Sequence, residues 1–209
     1  MKKIITTLLL MVGACSLTQA QVGKGQTEFG IGAGYNSAYV VASNSTESSG
    51  THNGFNIGVS ADHYFSDAWS IKIRAIYDQK GWSNGFITTS AGQLNGVVYN
   101  TNYITVPLVA NWHFGKTRGW YLNFGPYVGF LLNATATEAK LDVKEGTKST
   151  DGGLALGIGY KFNLNDKTRF YIEFDGQGGV ANIIKDGYVA PNSANVRHSR
   201  SSFNIGFNF

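Results

Sequence analysis

Cysteine is almost missing from this chain: Cys15 is the only one. It lies ahead of the expected mature start, so residues 21–209 offer no disulfide, zinc–thiolate site or thiol nucleophile. A strong charge of one sign is missing too. Removing Lys2 and Lys3 from the 17 basic residues leaves 15 against 13 acidic ones, a net +2. That balance is no footprint for nucleic-acid binding. Beyond the first residues there is no long apolar run, and mean hydropathy is -0.12. A helical membrane protein is therefore excluded. A strand-built one is not, because lipid-facing residues alternate with polar ones and average out. Proline (3) and charged residues (14%) are sparse, while Gly 27 and 13% aromatics are both high. Glycine and aromatics with few charges suit a tight barrel with a crowded interior and aromatic girdles.

The N-terminus reads as a secretory signal peptide over residues 1–20. Lys2 and Lys3 precede an apolar stretch from Ile4 to Ala14, and Thr18-Gln19-Ala20 supplies small residues at an exit site. The stretch is well short of the ~20 residues a membrane-spanning helix needs. Cleavage after Ala20 leaves Gln21 first and assigns 21–209 to one domain. Val12-Gly13-Ala14-Cys15 also resembles a lipobox, which would make Cys15 a lipidated first residue. Mass spectrometry of the mature N-terminus separates the two readings.

Period-two alternation then recurs about eight times. Phe29, Ile31, Ala33 and Tyr35 oppose Glu28, Gly30, Gly32 and Gly34. Phe55, Ile57 and Val59 oppose Asn56, Gly58 and Ser60. Trp69, Ile71 and Ile73 oppose Ser70, Lys72, Arg74 and Asp78. The pattern continues from Tyr99 to Phe114, from Trp120 to Leu132, from Leu154 to Phe162 and from Phe170 to Asp175. It ends with Phe203, Ile205, Phe207 and Phe209 against Ser202, Asn204, Gly206 and Asn208. Connections near 42–53, 81–98, 134–151 and 177–198 read as long polar loops; those at 66–68, 115–119 and 163–167 are tight turns. The expectation is an all-β, eight-stranded antiparallel up-and-down transmembrane β-barrel in the bacterial outer membrane, with tight turns in the periplasm.

The larger apolar face is too bulky for the inside of eight strands, so it should meet lipid. Aromatics gather beside the tight turns, at Phe65, Trp69, Trp112, Phe114, Trp120, Phe162, Phe170 and Phe209, as a girdle would. The inward phase carries Glu28, Asp62, Lys72, Arg74, Lys161, Glu173 and Asp175. Unpaired charges there would be costly. The expected lumenal network sets Arg74 and Lys161 against Glu173 and Asp175, with Lys72 beside them, and plugs the barrel.

Ile76-Tyr77-Asp78-Gln79-Lys80-Gly81, Asn102-Tyr103-Ile104-Thr105-Val106-Pro107-Leu108 and the terminal Phe209 resemble the PorT-like outer-membrane β-barrel family, distantly akin to small OmpA-type barrels. Members usually carry an acidic residue where Thr105 stands. The resemblance implies fold and location. Phe209, with Phe207, resembles the C-terminal signal read by the barrel-assembly machinery.

Chemistry is thin. Gly30-Ile31-Gly32-Ala33-Gly34 lies within a strand with no helix after it, which argues against a phosphate loop. His52, His63, His113 and His198 show no metal-ligand spacing. No cofactor and no catalytic set is expected, although His198 with Ser199 or Ser201 is a conceivable site on the outer rim. Lys185, Arg197 and Arg200, with His198, form a basic cluster that could contact lipopolysaccharide phosphates or simply be a solvated strand end. Asn44-Ser45-Thr46 and Asn133-Ala134-Thr135 match glycosylation sequons, which chance explains in a bacterial envelope protein. Three function classes follow: a monomeric structural or interaction barrel displaying loops to a surface partner, a narrow pore, or a lipid-modifying envelope enzyme. About 16 strands are needed for a wide aqueous channel, which favours the first class.

Overall fold

The computed structural model describes residues 23–43, 49–89, 92–188 and 195–209. The expected signal peptide, Cys15 and the sequon at Asn44 lie outside these residues.

The chain forms β1 (Thr27–Ala42), β2 (His52–Tyr64), β3 (Trp69–Thr89), β4 (Gly92–Phe114), β5 (Trp120–Ala136), a two-residue β6 (Leu141–Asp142), β7 (Thr150–Asn163), β8 (Arg169–Gly179) and β9 (Val196–Asn208). Each long strand pairs antiparallel with its chain neighbours, β5 passing directly to β7. β1 also pairs with β9, from Gly30 opposite Asn208 to Ala42 opposite Val196. The sheet thus closes into a ring of eight strands, which leaves no free edge along the wall. β6 only extends a hairpin on β5.

Side-chain direction follows the alternation. Phe29, Ile31, Ile57, Ile71, Ile73, Leu108, Phe124, Ile158, Phe203 and Ile205 are all exposed on the outer wall, while Asn36, Asn111, Lys161 and Glu173 are buried. An eight-stranded lumen is only wide enough for its own side chains, and the glycines on the inward face supply the space. A Cβ on Gly32 would fall 2.0 Å from the Tyr171 hydroxyl, and one on Gly159 2.4 Å from that of Tyr121. A tyrosine on one strand therefore lies across glycines on the neighbouring strands, Tyr121 over Gly159 and Tyr171 over Gly206 and, one strand further, Gly32.

Near the short turns the outer aromatics touch one after another from β3 round to β9. Ring centroids are 6.2 Å apart for Trp69–Trp112, 5.0 Å for Trp112–Phe114, 6.4 Å for Phe114–Trp120 and 5.0 Å for Trp120–Tyr160. The run continues through Phe162 and Phe170 to Phe207. Such a belt suits the level where hydrocarbon gives way to headgroups.

Two features depart from the plain pattern. The segment 81–98, expected as a loop, is a strand hairpin continuing β3 and β4 beyond the ring, with register shifts at Trp82/Gly85 and Gly85/Phe86. Bulges conceal the alternation there, and Asn84 and Gly96 take positive φ. The β4–β5 ladder is also interrupted between Pro107–Tyr127 and Ala110–Phe124. Pro107 and Pro126 both lie at that gap, and neither has an N–H to donate.

Candidate functional site: the charged lumen

Among the described residues, six carboxylates and six cations enter the lumen from six of the eight ring strands. The carboxylates are Glu28, Asp62, Asp78, Asp151, Glu173 and Asp175; the cations are Lys72, Arg74, Lys80, Lys161, Arg169 and Arg200. The lumen is therefore neutral, and its charges fall into three levels along the barrel.

At the turn end, Lys161 Nζ donates to Glu28 Oε2 (2.7 Å), Asp62 Oδ2 (3.1 Å) and the Tyr64 hydroxyl (2.9 Å). Arg169 Nε donates to Glu28 Oε1 (2.6 Å). Tyr64 donates to Glu28, and Asn111 to Asp62, each at 2.9 Å. His113 shares a 3.0 Å hydrogen bond with Ser70 and stacks on Tyr64.

At mid-barrel, Arg74 bridges Glu173 and, at 3.4 Å, Asp175. Asn123 donates to Glu173 (2.8 Å) and Asn204 to Asp175 (2.9 Å). Lys72 lies 3.9 Å from Glu173 with no hydrogen-bond partner, and its ammonium sits 5.4 and 5.3 Å from the ring centres of Tyr121 and Tyr171. The aromatic faces take the place of acceptors.

Towards the loop end, Arg200 pairs with Asp175 (2.9 Å) and Asp78 (3.5 Å). Thr105 donates to Asp78 at 3.1 Å. Lys80 donates to Asp151 at 3.0 Å. Above this level Val40, Trp82 and Ile183 are buried together, with Tyr99, Ile184 and Val196 packed against them. Trp82 and Tyr99 stack at 4.5 Å. The loop end is thus closed by apolar side chains. The turn end instead opens into a vestibule of about 910 Å³ whose lining includes Glu28, Arg118, Lys167 and Arg169.

Several expected placements change. Lys161 does not face Glu173 or Asp175; it binds Glu28 and Asp62, because it sits two residues from the end of β7, level with those two near the turns. Arg200 is 1% exposed and committed to Asp78 and Asp175, so it is not available to lipopolysaccharide. The alternation that turns Ser202 and Asn204 inward carries Arg200 and His198 with them. Lys185 is exposed and Arg197 partly so. His198 and its neighbours Ser199 and Ser201 point to opposite faces. Its ring lies 3.4 Å from both Asp151 and Thr101, all three buried. Among the described residues no group of His, Cys, Asp or Glu is arranged to hold a metal ion. Sequence reasoning missed Asp78, Lys80, Asp151, Arg169 and Arg200 as network members; the strand parity that set Asp78 inward would also have found Lys80 and Arg200.

A family model for the outer membrane protein beta-barrel domain matches residues 19–185. Among solved structures, the outer membrane protein OprG from Pseudomonas aeruginosa superposes with a TM-score of 0.51 at 14% identity, covering 89% of this chain and 96% of that one. Neisserial surface protein A gives 0.50 at 15% identity, covering 87% and 97%. At such identities the likeness shows a shared fold and nothing finer. A search of curated proteins finds no match.

Proposed function

The chain belongs to the outer membrane protein beta-barrel domain family, and from that membership we propose that it is a sealed barrel acting at the cell surface as a structural or interaction protein. The observation that carries this reading is the lumen: every carboxylate in it has a cationic partner, and apolar side chains cover the loop end. A hydrated ion crossing it would have to separate buried pairs, each break leaving an uncompensated charge. The barrel contributes rigidity and anchorage, and recognition falls to the segments outside it.

In this reading the tight turns face the periplasm and the long hairpins face outward. Lys185 and Arg197 contact lipopolysaccharide phosphates, Phe207 and Phe209 form the assembly signal, and the barrel is a monomer. The residues around Asp78 and Thr105 give the chain a likeness to PorT-like barrels within that family. Planar-bilayer recording of the purified protein tests the central point. The expected trace shows no stable conductance; large, long-lived steps would refute the seal. A pull-down with the intact protein and with a variant lacking residues 83–97 tests surface recognition. Loss of captured partners in the variant supports it, and unchanged capture contradicts a role for that hairpin.

A further inference from the structure

The two ends of the barrel differ in charge. The turns at the vestibule end carry Lys24, Lys116, Arg118 and Lys167 against only Asp67 and Asp166. The lumen holds as many carboxylates as cations. The net +2 of residues 21–209 therefore equals the excess in these turns.

The vestibule has a mixed lining. Arg118, Lys167 and Arg169 border it, and so do Phe29, Phe209 and Leu164. Phe29 and Phe209 are exposed on the outer wall. Two residues of the outer wall thus border the cavity at the rim of the barrel mouth. Glu28, its deepest carboxylate, already accepts from Lys161, Arg169, Tyr64 and Asn208. That leaves Asp67 and Asp166 as the remaining acids in the lining.

We propose that this vestibule binds an anionic glycerophospholipid, its phosphate held by Arg118, Lys167 and Arg169 and an acyl chain lying on Phe29 and Phe209. Charge complementarity selects the headgroup, and guanidinium matches phosphate geometry. The apolar outer half selects a lipid over a free anion, since only a lipid fills both halves. The site rests on the reading that the turn end faces the inner leaflet.

Native mass spectrometry of the micelle-purified protein tests it, with phosphatidylglycerol, phosphatidylethanolamine and inorganic phosphate as probes. Phosphatidylglycerol should bind most tightly. The double variant Arg118→Ser/Lys167→Ser should weaken it by roughly tenfold or more, while Lys140→Ser/Lys148→Ser at the opposite end should leave it unchanged. Equal affinity in the Arg118/Lys167 variant would overturn the proposal, as would an equal loss in the loop-end variant. Inorganic phosphate displacing the lipid at matched concentration would assign the site to a free anion and overturn the lipid. Both variants should retain the heat-modifiable gel mobility of a folded barrel. Bilayer conductance stays a separate readout, so a failed lipid site and a failed seal are distinguishable.

Discussion

The turn-end level and the mid-barrel level of the lumen each bury a lysine, and they do so differently. Lys161 has three oxygen partners within 3.1 Å. Lys72, equally buried, has two aromatic faces and a carboxylate at 3.9 Å. The first lysine holds two carboxylates that would otherwise repel each other. The second stands beside a Glu173 already satisfied by Arg74 and Asn123. What a buried charge contributes is thus set by what would be stranded without it, rather than by its own burial.

The largest effect expected from that contrast is at Lys161. Lys161→Met takes from Asp62 the one cation it hydrogen-bonds and leaves Arg169 as the only cation on Glu28, and should cost about 3–5 kcal/mol in reversible urea unfolding in lipid or micelles. A loss no greater than that of Lys72→Met would break the comparison. Next is Gly32→Ala. The added methyl meets the Tyr171 hydroxyl, and Tyr171 must shift from its place beside Lys72. The cost should be about 1–3 kcal/mol by the same measurement. Gly178→Ala, which meets nothing within 4 Å, serves as the control and should stay within about 0.5 kcal/mol. The smallest effect is at Lys72 itself. Lys72→Met should lie within about 1 kcal/mol of the wild type or be slightly stabilising, since it removes a desolvated charge and strands none. A loss near that of Lys161→Met would show that the aromatic faces do more than fill space.

Much of this architecture was legible in the sequence. Alternation from Phe29 to Phe209 sorted the outer wall from the inner one, because a strand's period of two leaves no intermediate directions. The tight turns at 66–68, 115–119 and 163–167 fixed the strand order. Pairing within the lumen was less legible, because parity gives direction but not height along the barrel. Lys161, Asp62 and Glu28 all lie within two residues of a strand end at the turns, whereas Arg74 and Glu173 lie deeper. Counting from the turns would have matched them. The hairpin over 81–98 was hidden for another reason. Bulges at Gly85 and Gly96 reset the alternation, and its Gly, Asn, Ser and Thr residues carry the composition of a loop.

The assignment of lipid-facing and lumenal walls is tested most directly by fluorescence quenching in bilayers of brominated lipid, using variants that each retain one tryptophan. Trp120, 46% exposed on the outer wall, should be strongly quenched, and Trp82, 7% exposed beneath the loops, should keep its emission. Quenching of Trp82 with Trp120 untouched would mean that the polar face meets the hydrocarbon.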